Sequence, residues 1–211
     1  CHAHGAQMGG HTVGYWSDAV VLSFYATKLV TGGEGGIIST NDELLYAFAR
    51  RARNNGRESL YDEVAEEIAG DSRLSNVLAA IALVQSESLE KRWERRAEIA
   101  ARYHEALDGS DLIRPLTIPG CQPSWYKYIV QTEEPRRLAR ALADRGIGTG
   151  GAVYEVPLTA QPLLQPWARA CPVAERICRQ HLCLPLYESM TDDEAAYVAR
   201  VVYNLSRELA S

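Results

Sequence analysis

Residues 20–36 (VVLSFYATKLVTGGEGG) decide the fold class of this chain. The apolar run at 20–24 is typical of a strand buried on both faces, as in parallel sheets covered by helices. A loop that contains Lys28 follows, and the glycine-rich residues 31–36 end it. Residues 37–40 then predict a second strand. This order of elements favours a fold of the α/β class.

Outward from this stretch, the sequence predicts one long helix over residues 76–107. Its first half is apolar and rich in alanine, and its second half is heavily charged. A helix that leaves one core and enters another would show such a shift. We therefore predict two domains: residues 1–90, the remnant of a larger sheet domain, and residues 91–211, a small α/β domain.

The other predicted elements follow from turn and capping signals. In chain order they are a loop at 1–14, a helix at 41–53 opened by a Thr40–Glu43 capping box, a short helix at 63–68, a strand at 124–132, a helix at 135–145 ended by Gly146, extended pieces at 154–157 and 183–187, a helix at 172–181 and a last helix opened by a Thr191–Glu194 capping box.

Composition excludes several classes of protein. The 211 residues carry a formal net charge of −5 with a pI near 5.6, which argues against nucleic-acid binding and against a membrane-surface protein. No stretch approaches the ~20 apolar residues of a membrane span. Five cysteines without a CxxC pair favour neither a disulfide framework nor a zinc site. No targeting segment is visible in the sequence, so we expect the cytoplasm as the default compartment. The chain begins inside a His/Gly-rich stretch without an initiator Met, so we expect a piece of a longer protein.

Lys28 is the candidate nucleophile, because lysine is rare in this chain. Of 22 basic residues only Lys28, Lys91 and Lys127 are lysine. A lysine must lose a proton to attack a carbonyl, and a desolvated or cation-rich site promotes that loss. The alternative is an ordinary surface lysine whose stem lies along apolar neighbours.

Other candidate groups have competing interpretations. Ser23 and the glycine-rich loop are placed to hold a phosphate, although the loop has neither Walker nor dinucleotide-binding spacing and also fits a tight turn. The histidines near the start suggest zinc, but no acidic or thiol ligand follows at a familiar spacing, so we predict no metal site. Asp71 and Arg73 fit a helix-capping cluster. Three aromatic residues suggest core and cross-strand packing: Trp125, Tyr126 and Tyr128.

Taken together, several segments resemble the DegT/StrS-type sugar aminotransferases, which are pyridoxal-phosphate enzymes of fold type I. The segments are CHAHGAQMGGHTVGYWSDAVVLSFYATKLVTGGEGGIIST, RNNGR, GDSRLSNVLAAIALVQ, GIGTGGAVYEVPL and PVAERICRQHLCLPLYESMTDDE. The similarity covers essentially this whole chain but only about the C-terminal half of a family member. It implies an α/β fold with part of a large, mostly parallel-sheet domain, a long helix and a small C-terminal α/β domain.

The resemblance assigns roles residue by residue. Lys28 matches the lysine that links covalently to pyridoxal 5'-phosphate, Ser23 matches a phosphate-binding hydroxyl, and His2 matches the Gln or His that contacts the phenolic oxygen. Asp71 stands where the family has an Asn that reaches the partner subunit's phosphate, and a carboxylate there would repel that group. The family Asp that pairs with the pyridinium nitrogen would lie just before the first residue of this chain.

Substrate contacts follow from the resemblance as well. It implies that Tyr154 and Arg73 contact substrate, whereas Thr159 replaces a frequent family His. A family subgroup that dehydrates its substrate has His in place of the lysine, and Lys28 argues against that reaction. The expected activity is transfer of an amino group from glutamate or glutamine to a keto-sugar, nucleotide-linked, as in amino-sugar or antibiotic biosynthesis, by a homodimer with shared active sites.

Three alternatives to this function remain open at this point. The acceptor could be a keto-cyclitol instead of a keto-sugar. A second alternative is an inactive truncated relic, and a third is a non-catalytic binding module on the same scaffold. A hydrolase built on the early histidines is the least favoured reading of the sequence.

Overall fold

The computed structural model describes residues 1–210, which form two compact units. The first unit holds Cys1–Trp93 together with Thr117–Tyr126, and the second holds Glu94–Leu116 and the residues from Lys127 onward. The chain thus returns to the first unit for ten residues after leaving it. The change of composition near residue 90 does not predict that residues 117–126 belong to the first unit.

In the first unit, the residues around Lys28 form a strand, a loop and a strand. Strand β3 (Ala19–Ser23) pairs antiparallel with β4 (Gly36–Thr40), with Ser23 opposite Gly36. The expectation that the first strand is buried on both faces is wrong, because Val21 is 51% exposed. These two strands form a two-stranded sheet, and no other strand of the described residues pairs with either of them.

The segment 1–14, predicted to be a loop, contains a hairpin. Strand β1 (Gln7–Met8) pairs with β2 (His11–Thr12) on one side and with β5 (Cys121–Gln122) on the other, both antiparallel. Gly9 and Gly10 have φ values of +56° and +81°. A two-residue hairpin turn of this type needs two positive φ angles, which glycine adopts without strain.

All strand ladders of the described residues are antiparallel. The parallel pairing that the resemblance implies for the large domain is therefore not formed by these strands. An isolated parallel bridge joins Tyr25 and Gly33 across the loop that contains Lys28.

Helix α1 (Glu43–Arg53) is capped by Asp42 and not by the predicted Thr40–Glu43 box. The Asp42 carboxylate accepts from the backbone N–H of Leu44 and Leu45. The Thr40 hydroxyl instead donates to the carbonyl of Asp18 and accepts from the N–H of Asp42. The short helix predicted at 63–68 is absent from the described chain.

The predicted long helix is two helices, α2 (Asn76–Glu87) and α3 (Leu89–Ala106). Ser88 lies at the break, and its hydroxyl donates to the carbonyl of Gln85. A serine side chain that competes for backbone groups in this way weakens a helix at that point. The two units divide within α3, between Trp93 and Glu94.

The second unit contains strands β6 (Tyr128–Gln131) and β7 (His181–Leu184), which pair antiparallel. The part of α3 from Glu94 onward accompanies them, together with three further α-helices: α4 (Pro135–Ala143), α5 (Pro172–Gln180) and α6 (Asp192–Ala210). Fully buried side chains from several elements form the core: Tyr103, Leu107, Tyr128, Val130, Leu138, Leu142 and Val202.

Several predictions for the second unit need correction. The strand predicted at 124–132 begins only at Tyr128, and Tyr154 lies in no strand. Leu158–Ala160 and Pro162–Trp167 form 3-10 helices that were not predicted. The Thr191–Glu194 capping box is confirmed, since each residue accepts the backbone N–H of the other.

Within the described part of the chain, no helix is both long and apolar enough to cross a bilayer.

Candidate functional site

Lys28 lies in the loop that follows β3. Its backbone N–H donates to the carbonyl of Tyr25 at 2.9 Å, and the next two side chains, Leu29 and Val30, are 1% and 2% exposed. Burial of these two side chains fixes the loop. The half-buried Lys28 extends its amine over the ring of Tyr126, with Nζ 4.8 Å from the ring centroid.

The glycine-rich residues 31–36 form a tight turn that fastens this loop. Gly32 N–H donates to the carbonyl of Phe24 at 2.9 Å, and the N–H of Phe24 donates to the carbonyl of Gly35 at 2.8 Å. Gly33 N–H donates to the Thr31 hydroxyl at 2.9 Å. The amides of Gly32 and Gly33 are thus engaged within the loop, where they serve the turn and are not available to a phosphate.

Gly32 also allows a close approach between this loop and α2. A Cβ atom at Gly32 would lie 2.8 Å from the carbonyl oxygen of Leu78. Such contacts are sterically forbidden, so glycine lets the loop pack directly on the helix backbone. The position of Lys28 thus depends on packing against α2 as well as on the strand before it.

Ser23 is the last residue of β3 and lies beside the same loop. Its Oγ accepts a hydrogen bond from the N–H of Tyr25 at 3.3 Å. A hydroxyl that accepts in this bond retains its own proton for donation. Ser23 therefore has a donor suited to an anionic oxygen.

His2 and Lys28 meet at Tyr126. The His2 ring stacks on the Tyr126 ring with 4.5 Å between centroids and 28° between planes, and the carbonyl of His2 accepts from Ser124 Oγ at 2.7 Å. The sequence assigned Tyr126 to packing on a strand, and that assignment is wrong. In the sequence, only the aromatic cluster SWYKY (residues 124–128) indicated that Tyr126 could have a role in the site.

The three early histidines have different neighbours. His11 stacks on Tyr15 at 3.8 Å between centroids, whereas His2 stacks on Tyr126. His4 is 4% exposed, and its Nε2 has no hydrogen-bond partner among the described residues. Burial lowers the pKa of His4, and the positive charges of the first amino group, Lys28 and His2 lower it further.

Metal-ligating side chains are not gathered in this part of the molecule. Among residues 1–210, no group of three or more His, Cys, Asp or Glu side chains is arranged to hold a metal ion.

Asp71 and Arg73 bond to each other. Arg73 Nε donates to Asp71 Oδ1 at 2.8 Å, and Nη2 donates to Oδ2 at 2.5 Å. This two-point contact with the Arg73 guanidinium lowers the pKa of Asp71 to about 2. Helix α2 is capped at Ser75, so the pair is not the helix cap that the sequence also suggested.

Tyr154 belongs to the second unit, where it is 68% exposed between Gly151 and the 3-10 helix Leu158–Ala160. Arg73 and Asp71 are exposed residues of the first unit. The described contacts thus bring together Lys28, Tyr126 and His2, and they pair Asp71 with Arg73.

The donor set of the first unit suits a particular kind of cofactor. Lys28 supplies a primary amine that can condense with an aldehyde, and Ser23 supplies a hydroxyl for an anion. The buried His4 Nε2 lacks a partner, which is costly for a polar atom and marks a place where a polar group is missing. These groups fit a small molecule that combines an aldehyde with an acidic substituent.

A model of the DegT/DnrJ/EryC1/StrS aminotransferase family matches residues 1–203, and the chain belongs to this family. It is 33% identical to a Streptomyces venezuelae dTDP-3-amino-3,4,6-trideoxy-alpha-D-glucose transaminase, over 95% of this chain and 53% of that protein. It is 30% identical to the Bacillus subtilis protein EpsN, named as a pyridoxal phosphate-dependent aminotransferase, over 88% of this chain and 50% of that protein.

The fold agrees with this membership. The crystal structure of S. venezuelae DesV in complex with a ketimine intermediate superposes with a TM-score of 0.91 at 31% identity, over 97% of this chain and 56% of that one. The predicted fold class, that of the fold type I aminotransferases, is confirmed. The chain spans about half the length of the curated relatives it matches.

Proposed function

We propose that this chain contributes the reactive lysine and part of the cofactor site of a pyridoxal-phosphate-dependent sugar aminotransferase. The observation that supports it most is Lys28, held after β3 with its amine over the Tyr126 ring, on which His2 also stacks. Membership of the aminotransferase family supports the reaction class. The relative that acts on a dTDP-linked sugar supports a nucleotide-linked keto-sugar as the acceptor.

Pyridoxal phosphate, when bound, supplies an aldehyde for covalent attachment and a ring that withdraws electrons from the reacting carbon. In this proposal Lys28 provides the amine that attaches to it. When not attached, the Lys28 Nζ would serve as the base that holds and moves a proton at the reacting carbon. Positioned acid–base transfer of this kind contributes roughly 10²–10⁴-fold to rate.

The neighbours of Lys28 have binding roles. Ser23 donates its hydroxyl proton to a phosphate oxygen, and His2 contacts the phenolic oxygen of the ring. Asp71 already has a cationic partner in Arg73, which offsets the repulsion between its carboxylate and the phosphate of a partner subunit. Arg73 and Tyr154 are proposed as substrate contacts.

The resemblance further supports glutamate or glutamine as the amino donor and a homodimer as the working assembly. Position 28 must be lysine in this scheme, because an arginine stays protonated in proteins and cannot condense with an aldehyde. This explains a lysine in a chain whose basic residues are otherwise almost all arginine.

The test uses the product of the complete gene with Lys28→Ala or Lys28→Arg. We expect both variants to lose amino transfer to a nucleotide-linked keto-sugar. In the unaltered protein, borohydride reduction with pyridoxal phosphate should leave the cofactor on the peptide that contains Lys28, as read by mass spectrometry. Lys91→Arg, at an exposed site in α3, is the matched control and should retain both properties. Normal turnover by either Lys28 variant would overturn the proposal.

A further inference from the structure

Residues 123–126, which we call the clasp segment, are fastened to the first unit by hydrogen bonds on both sides. Trp93 Nε1 donates to the carbonyl of Pro123 at 2.7 Å. The Ser124 hydroxyl donates to the carbonyl of His2 at 2.7 Å. These bonds join the clasp segment to helix α3 and to the start of the chain, so its position is determined from two directions.

The backbone of the clasp segment is strained. Trp125 has φ +50°, in the left-handed region that residues other than glycine seldom adopt, and β6 begins only at Tyr128. Such a conformation persists only where surrounding contacts hold it, and it is frequent at functional sites. Here the bonds of Ser124 and Tyr126, on either side of Trp125, hold the conformation that presents the Tyr126 ring.

The Tyr126 ring contacts the loop of Lys28 in two ways. Its hydroxyl shares a 2.9 Å hydrogen bond with Thr27 Oγ1, and its ring receives Lys28 Nζ at 4.8 Å from the centroid. A cation within about 6 Å of an aromatic centroid is attracted by the negative face of the ring. The Thr27 bond fixes the ring relative to the residue immediately before Lys28, and the stacked His2 adds a third contact.

We propose that Tyr126 is a positioning residue. Its ring holds the Lys28 ammonium group in place whenever Lys28 is not covalently attached to another molecule. The ring restricts the long lysine side chain, which otherwise samples many rotamers. A side chain held over the ring face is also less accessible to adventitious electrophiles. The catalytic meaning of this contact rests on the proposed function, but the contact itself requires no cofactor.

The experiment measures the rate at which Lys28 is acetylated by a trace of an acetylating ester, at fixed pH. The product of the complete gene, freed of cofactor, is digested and each lysine is quantified by mass spectrometry. An amine held over the ring is less available to the reagent, so loss of the ring raises the rate. A cation–π energy of about 0.5–1 kcal/mol corresponds to roughly a 2–5-fold rise for Tyr126→Leu.

Matched variants separate the ring from its hydroxyl. Tyr126→Phe keeps the ring face and should stay within about twofold of the original rate, as should Thr27→Val, which removes only the hydrogen bond. Replacement of Tyr126 by 3,4,5-trifluorophenylalanine keeps the shape of phenylalanine but weakens the negative face. It should raise the rate above that of Tyr126→Phe. Lys91 in the same digest reports on general unfolding and should be unchanged.

Each outcome of this comparison either supports or overturns the positioning role of Tyr126. A rise at Lys28 alone, in both the leucine and the trifluorophenylalanine variants, supports the positioning role. An unchanged Lys28 rate in both variants overturns it, and so does an equal rise at Lys91 and Lys28 across the series. If Tyr126→Leu unfolds, the comparison of phenylalanine with its trifluoro analogue decides alone. Because amino transfer is not measured, failure here is distinct from failure of the proposed function.

Discussion

At the scale of single residues, charge pairing changes what the sequence suggests. Asp71 at a site that approaches phosphate would be unfavourable if its carboxylate were unpaired. Arg73 lies two positions away and takes both carboxylate oxygens, so the pair has no net charge. The charge of this position therefore depends on the Asp71–Arg73 pair and not on Asp71 alone.

The Asp71–Arg73 pair makes a prediction about titration. Since Arg73 lowers the pKa of Asp71 to about 2, the stabilisation from this pair is fully present above the ordinary value of 3.8 and is lost as pH falls toward 2. We expect Arg73→Ala to return the pKa of Asp71 toward 3.8, as followed by carbon NMR of the carboxyl group. Arg50→Ala, which removes a guanidinium lying over Tyr46, should leave it unchanged. An unaltered midpoint in Arg73→Ala would contradict the assignment.

At the scale of elements, a capping motif in the sequence predicts the start of a helix correctly only where no other residue competes for the same backbone groups. The Thr191–Glu194 box forms as the sequence predicts, because both partners lie within one turn. The Thr40–Glu43 box does not form, because Asp42 caps α1 and Thr40 bonds to Asp18, a residue across the β3–β4 sheet. The Thr40–Glu43 box is therefore replaced by the Asp42 cap and by the bond from Thr40 to Asp18.

The capping box of α6 is testable by unfolding. Thr191→Ala removes the acceptor for the N–H of Glu194 and should lower the free energy of unfolding by about 1 kcal/mol, measured by urea titration. Thr191→Ser preserves the hydroxyl and should cost much less. Equal losses in the two variants would mean that the methyl group, and not the cap, is responsible.

The segment between α1 and α2 makes a second prediction at this scale. Gly56 has φ +76°, and a Cβ there would lie 1.9 Å from the carbonyl oxygen of Glu67. Gly56→Ala should therefore lower the free energy of unfolding by roughly 2 kcal/mol or more, by urea titration. Gly70→Ala, in the same segment but with open space and no positive φ, should be nearly neutral. Comparable losses at both positions would refute the steric argument.

At the scale of the whole molecule, the chain order hides how the first unit is completed. Residues 117–126 return to it through β5, which pairs with β1, and through Tyr126, whose hydroxyl bonds to Thr27 at a separation of 99 positions. Local periodicity reports neighbours within a few residues, so no pattern in the sequence could reveal either contact.

The break between α2 and α3 leaves no signal in the sequence for a similar reason. Residues 76–107 read as one helix because their composition is helix-forming on both sides of Ser88. Whether a serine hydroxyl points to solvent or competes for the carbonyl of Gln85 depends on surrounding packing, and it competes here. Propensity is a weak prior that tertiary context overrides.

The sequence by itself determined the α/β class, the strand–loop–strand order around Lys28, most helices, and the candidate lysine, whose chemistry arginine cannot provide. These features depend on residue type and short spacing. Only the tertiary structure decided that Tyr126 receives the Lys28 amine, that Asp71 pairs with Arg73, and that the amides of Gly32 and Gly33 are used within their own loop. Such contacts follow from where side chains and backbone groups meet in space, which spacing along the chain does not specify.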